Sequence, residues 1–225
     1  MSIAFLEAKR PFFERAVHVT VKIHVTVKVR QKRYKHVATG IILSTSGIII
    51  TAAHVVCESK TAQVQRCSLE KNGYTVRDTG RYTADVIYVD RRADLAILKL
   101  RRPPITLAVA KLGDSDELEI GTPLFRVGCD NDKQRLSEGH LFLFGNAKRI
   151  PQFSVSMHAD DGSSGGPIFD QEGSVMGIVL SGDYDEAFPH TAAAVPINVV
   201  RRRILRRRLI KDLMEPHPLL EKATL

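Results

Sequence analysis

The stretch DDGSSGGPIFD, from Asp160 to Asp170, sets two serines, Ser163 and Ser164, before a Gly-Gly pair and a short apolar run. Such a segment is either a flexible connection between strands or a turn that aims a hydroxyl at a substrate. A serine hydroxyl attacks a carbonyl well only when a base removes its proton, and an imidazole does this best with a carboxylate behind it to fix its tautomer. The oxyanion that forms needs backbone N–H donors, which a glycine turn supplies. The catalytic reading therefore requires a histidine and a carboxylate elsewhere, both at strand ends facing one cleft.

Among the eight histidines, His18, His24 and His36 lie in or beside an early strand, and His217 sits in the tail. His54 differs. It follows GIIITAA, where a buried strand ends and Ala52 and Ala53 leave room for close packing. For the carboxylate, Asp94 in RRADLAILKL directly precedes an alternating strand, with Asp85 and Asp90 nearby. Taken singly, each of these is also what a structural histidine or a turn aspartate looks like.

The elements that would position them are strands. VTVKIHVTVKV, from Val19 to Val29, alternates with period two and predicts a half-buried strand. After the polar turn RQKRYKH, the two β-branched runs of VATGIILSTSGIIITAAHVV, broken at Ser44 to Gly47, read as a hairpin. ADVIYVD, LAILKL, PLFRVG, HLFLFG, FSVSMHA, GPIFD, SVMGIVL and AAAVPI are all strand-sized and bounded by Gly, Asp, Asn or Pro. Many short strands with hardly a helical period argue for an antiparallel sandwich or closed barrels. The paired prolines of KLRRPPI (residues 99–105) mark the best linker. One helix is expected at the C-terminus, with Asn198 as N-cap and Val199, Val200, Ile204, Leu205, Leu209 and Leu213 at helical spacing.

A chain of 225 residues buries a substantial core, and no run of about 18 apolar residues marks a membrane span. The start, MSIAFLEAKRPFFERA, carries Glu7 and Glu14 and lacks an uninterrupted apolar core, so no secretory signal is read and a cytoplasmic location is expected. Cys57, Cys67 and Cys129 have no metal-type spacing and are expected to be free thiols. The net charge of +8 is concentrated in RRRILRRRLIKDL. Arg201, Arg202, Arg203, Arg206, Arg207 and Arg208 would give the helix a basic face, either simply solvated or in contact with nucleic acid or an anionic surface.

In order and context, TAAHVV, ADLAILKL and GSSGGP resemble the chymotrypsin-fold (trypsin-like) serine peptidases, which place His, Asp and Ser in that sequence. GIILSTSGIIITAAHVV, LGDSDELEIGTPLFRVG, SEGHLF, GPIFDQEGSVMGIVLS and AAAVPINVVRRRI are similar to the HtrA (DegP-like) branch, over about Val37 to Ile204. The resemblance implies an all-β fold of two six-stranded antiparallel barrels with a C-terminal helix. Residues 1–102 would form the first barrel, 103–198 the second and 199–225 the basic helix and tail. It implies His54 as general base, Asp94 as its orienting carboxylate and Ser164 as nucleophile. The N–H groups of Gly162 and Ser164 would form the oxyanion hole, with Ser163 shaping the turn where relatives carry Asn. Ile178 to Ser181, including Val179 and Leu180, would be an edge strand that pairs with an extended polypeptide substrate. His158 would fall at the floor of the pocket for P1, the residue whose carbonyl is attacked, where an imidazole could hydrogen-bond an acid or amide. Peptide-bond hydrolysis through an acyl-enzyme, without metal or cofactor, is the implied reaction. The alternative is a silent peptide-binding module on the same fold. The tail EPHPLLEKATL is too short for the PDZ module of many relatives.

Overall fold

Buried β-branched runs close on themselves when no helix is at hand to cover them, because closure leaves no unpaired sheet edge. The computed structural model describes residues 3–29, 32–56, 59–69, 76–130, 133–182 and 190–205, and in it twelve strands form two closed antiparallel barrels. The first is built from β1 (Thr20–Val29), β2 (Lys32–Ile42), β3 (Ile48–Ala52), β4 (Thr61–Leu69), β5 (Val76–Asp90) and β6 (Leu95–Leu100), in the order β1-β2-β3-β6-β5-β4. The second contains β7 (Pro123–Asp130), β8 (Lys133–Ala147), β9 (Ile150–Val155), β10 (Pro167–Phe169), β11 (Val175–Gly182) and β12 (Ala192–Pro196), in the order β10-β11-β12-β9-β8-β7.

The expected hairpin is present. Ile41 and Ile42 of β2 face Ile50 and Ile49 of β3, and the Leu43 N–H donates to the Ile48 carbonyl across the turn at 2.8 Å. Val21, Ile23 and Val25 of β1 are buried as the alternation predicts, but Thr20 and Lys22 on the opposite face are buried too. The Thr20 hydroxyl is satisfied by the Ala16 carbonyl at 2.7 Å. One apolar cluster runs from Ile23, Ile49 and Leu98 through Val56 to Phe125, Phe169 and Ile178. It therefore crosses from the first barrel into the second and holds the two in fixed relation.

Several elements depart from the sequence reading. RQKRYKH is not all turn, since β2 already begins at Lys32. β4 was missed because its exposed positions are polar, although Ala62 and Val64 alternate into the core until a bulge after Arg66 turns Cys67 inward. Cys67 is buried and in no disulfide. A helix, α1 (Ile3–Val19), occupies the N-terminal stretch despite Pro11. Pro11 cannot donate back into the helix, but burial of Phe12, Ala16 and Val17 compensates. The Phe12 ring lies 5.2 Å from that of Phe125 and 5.7 Å from that of Phe169, so α1 is docked on the second barrel.

At the other end α3 (Ile197–Val200) runs into a wider π-type turn at Arg201–Leu205. Pro196, not Asn198, stands at its N-cap. The Asn198 amide nitrogen instead donates to Asp114 Oδ1 at 2.5 Å. The remaining arginines of the expected basic helix, Arg206 to Arg208, lie outside the described residues, as do Cys57 and the tail.

Candidate active site

The histidine and its carboxylate meet because of register. Ala52 of β3 pairs with Leu95 of β6, so the residues just beyond Ala52 and just before Leu95 emerge at the same barrel end. A short helical turn, α2 (Ala53–Val56), starts there, and the Ala53 N–H donates to the Asp94 carbonyl at 2.9 Å. The His54 backbone N–H donates to Asp94 Oδ1 at 2.8 Å, and His54 Nδ1 lies 2.7 Å from Asp94 Oδ2. An ionised carboxylate only accepts, so Nδ1 carries the proton and the Nε2 lone pair is presented. The imidazole is about half exposed (49%) and thus within reach of a substrate.

The other two carboxylates have different work. Asp85 pairs with Arg101 in an exposed position, Oδ1 to Nη2 at 2.8 Å. Asp90, 9% exposed, shapes the turn that carries Asp94: its Oδ1 accepts from the N–H groups of Arg92 and Ala93, each at 3.0 Å. Asp94 itself takes a φ of +53°, a left-handed conformation that aspartate tolerates better than most residues. Arg203 donates to Asp90 Oδ2 through Nε at 3.0 Å and Nη2 at 2.9 Å. Burial pushes the Asp90 carboxyl up, but the Ala93 N–H, the Arg203 guanidinium and the Arg92 N–H outweigh it and hold it below the usual carboxylate range.

Ser164 sits on an aimed turn, not on a slack loop. The Ser163 N–H donates to the Asp160 carbonyl at 3.0 Å, and Gly162, third in that turn, has a φ of +99°. These are the marks of a type II turn. Among the described residues neither the Gly162 N–H nor the Ser164 N–H has an acceptor. Gly165, φ +82°, donates to the Val179 carbonyl at 2.7 Å. A Cβ on Gly165 would fall onto Thr51 Oγ1, the Thr39 carbonyl and the Ala52 N–H, so only glycine lets this turn press against β2 and β3. The Ser164 hydroxyl donates to the Leu180 carbonyl at 3.3 Å. Ser163, where a resemblance-based reading expects Asn, is fully buried and its hydroxyl has no partner among the described residues.

Thr39 was not foreseen. From the first barrel its N–H donates to the Ser164 carbonyl at 3.0 Å, and its Oγ1 donates to the Gly162 carbonyl at 2.8 Å. Its own carbonyl accepts from Thr51 Oγ1 at 2.8 Å. This side chain joins the Ser164 turn of one barrel to the sheet that ends in His54 in the other. Nothing in VATGII distinguishes it from any strand threonine.

The expected edge at Ile178 to Ser181 is corrected in part. Ile178 pairs with Pro167 on one side and Val195 on the other. Val179 donates to the Gly166 carbonyl, accepts from Gly165 and faces Ala194. Only from Leu180 to Gly182 does β11 have a strand, β12, on one side alone among the described residues. His158 is exposed, with Nε2 2.6 Å from Asp160 Oδ1, and its carbonyl accepts from the wholly buried Arg126 at 2.9 Å.

The described arginines of the C-terminal helix are anchored, contrary to a uniformly solvated basic face. Arg201 donates to the carbonyls of Gly113 and Leu112 and to Asn198 Oδ1. Arg202 reaches Asp116 at 3.4 Å, and Arg203 holds Asp90. A cavity of about 390 Å³ beside Arg201, lined also by Lys111, Asp114, Glu117, Asp170 and Glu172, contains none of His54, Asp94 or Ser164. No helix among the described residues is long and apolar enough to cross a membrane.

Two closed six-stranded antiparallel barrels, with the His54–Asp94 pair at one end of the first, define the chymotrypsin-like class of fold; the Ser164 hydroxyl is turned to the Leu180 carbonyl, not to His54. The family described as the trypsin-like peptidase domain matches residues 38–178, and the chain belongs to that family. A DegP-like periplasmic serine endoprotease of Pseudomonas fulva is 29% identical over 154 residues, covering 66% of this chain and 30% of that protein. The serine protease HhoA of Synechocystis is 30% identical over 161 residues, covering 66% of this chain and 38% of that protein. The chain thus spans about a third of the length of the curated relatives it matches. A solved HtrA-type protease, AlgW with a tripeptide, shares the fold with a TM-score of 0.72 at 20% identity, over 89% of this chain and 63% of that one. The expected cytoplasmic location is overturned: several Pseudomonas relatives are named periplasmic, which points to export.

Proposed function

We propose that the chain is an exported serine endopeptidase that cleaves extended polypeptides through an acyl-enzyme. The observation that carries this reading is the His54–Asp94 contact at 2.7 Å, at a junction where Thr39 and Gly165 tie the Ser164 turn to the strands leading into His54. Asp94 holds the proton on His54 Nδ1, and Nε2 is the base. A substrate strand pairing beyond Val179 takes the Leu180 carbonyl, which releases the Ser164 hydroxyl toward Nε2. The hydroxyl proton passes to His54 as Oγ bonds to the substrate carbonyl carbon. The N–H groups of Gly162 and Ser164, which have no acceptor among the described residues, receive the oxyanion. His54 then protonates the departing amine, and water, deprotonated by the same imidazole, releases the acid.

A fluorophosphonate probe tests this directly. Wild type should be labelled and Ser164→Ala should not, with peptidase activity in the variant down by roughly 10⁴-fold or more. Equal labelling of both proteins would refute the assignment. An unlabelled, inactive wild type that still captures peptide would favour the silent binding module.

A further inference from the structure

Beside the nucleophile turn lies a second histidine pair that takes no part in the triad. His158 Nε2 is 2.6 Å from Asp160 Oδ1, and its Nδ1 is 3.4 Å from Nδ1 of His190, the residue that leads into β12. A carboxylate at Nε2 keeps the ring proton there and leaves the lone pair on Nδ1, the atom turned toward His190. A separation of 3.4 Å is long for a hydrogen bond between two nitrogens. It suits two nitrogens sharing one metal ion, because tetrahedral zinc with Zn–N of about 2.05 Å sets its ligand nitrogens about 3.3 Å apart.

We propose that His158 and His190 form a two-histidine site for a divalent transition metal ion such as Zn²⁺, with Asp160 orienting His158 from behind, and that occupancy inhibits the peptidase. Among the described residues no group of three or more His, Cys, Asp or Glu is placed to hold a metal. The coordination positions that no described residue supplies are open to water. The link to activity runs through Asp160. Its carboxylate holds His158, while its carbonyl accepts the Ser163 N–H that closes the nucleophile turn at 3.0 Å. Arg126 fixes the other side of the same segment through the His158 carbonyl. An ion held between the two rings therefore fixes the strap that aims Ser164 and keeps it from adjusting as substrate binds. The inhibition rests on the endopeptidase reading; the binding does not.

Calorimetric titration of Zn²⁺ into the Ser164→Ala chain separates the two. One ion per chain is expected, with affinity lowered at least about tenfold by His190→Gln, by His158→Gln and by Asp160→Asn. Unchanged affinity in both histidine variants, or loss of affinity only with His54→Ala, would overturn the site. In the active chain, Zn²⁺ should inhibit cleavage of a fluorogenic peptide, EDTA should reverse it, and His190→Gln should need at least about tenfold more Zn²⁺ for the same inhibition. Inhibition equally sensitive in His190→Gln would overturn the regulatory half. An inactive wild type whose Ser164→Ala form still binds Zn²⁺ through the pair would sink the peptidase reading and leave the metal site standing.

Discussion

Removing the Arg203 guanidinium should loosen Asp94, the proposed orienting carboxylate, from more than a hundred residues away in the chain. In the folded chain Arg203 places two hydrogen bonds, at 2.9 and 3.0 Å, on Asp90 Oδ2, and Asp90 uses its other oxygen to shape the turn into Asp94. Asp90 is nearly buried, whereas the Arg203 side chain is 33% exposed. Each hydrogen bond to a charged group contributes about 1.5–3 kcal/mol, and solvent screening at the arginine lowers the sum, so Arg203→Ala should cost about 2–3 kcal/mol. For a chain of this size that corresponds to a fall in Tm of roughly 4–12 °C. The Asp90 carboxyl is held below its ordinary value in the fold, so its contribution is complete above the unfolded value and is lost as pH falls through the folded one. The Tm gap between wild type and Arg203→Ala should therefore close as pH drops below the usual carboxylate range. Activity should fall about tenfold through kcat, since a tilted Asp94 orients His54 poorly. Thermal unfolding at neutral and acidic pH, together with kcat and KM on a fluorogenic peptide, reads all of this. An unchanged Tm and an unchanged kcat would refute the chain of support from the C-terminal helix to the triad.

Thr39→Val keeps the shape of the side chain and removes its hydrogen bond to the Gly162 carbonyl, and should lower kcat about tenfold with little change in KM; equal kcat would show that the backbone bond to Ser164 suffices. With the Nε2 proton of His158 held by Asp160, its Nδ1 lone pair accepts from an amide but not from an acid, so a peptide library in the presence of EDTA should favour an amide P1 side chain over an acidic one. A preference for Val or Ala, unaltered in His158→Ala, would remove His158 from substrate recognition.

The strand alternation, the turn residues and the order of His54, Asp94 and Ser164 are local properties, and the sequence by itself determined them. Period-two hydrophobicity marks the apolar face of β1, and glycine at positions 162, 165 and 166 announces a turn that other residues resist. A cytoplasmic location does not follow from Glu7 and Glu14 in the N-terminal stretch, where Phe12 packs a helix onto the second barrel. Among Asp85, Asp90 and Asp94, the sequence favours Asp94 only through similarity of motif. Only the tertiary structure shows the physical reason: the β3–β6 register brings Asp94, not its neighbours, to the His54 imidazole. The same holds for Thr39 and Arg203, which work across more than a hundred residues of chain. A hydrogen bond between distant strands leaves no periodicity in the sequence, because its partners are chosen by how two barrels close and pack.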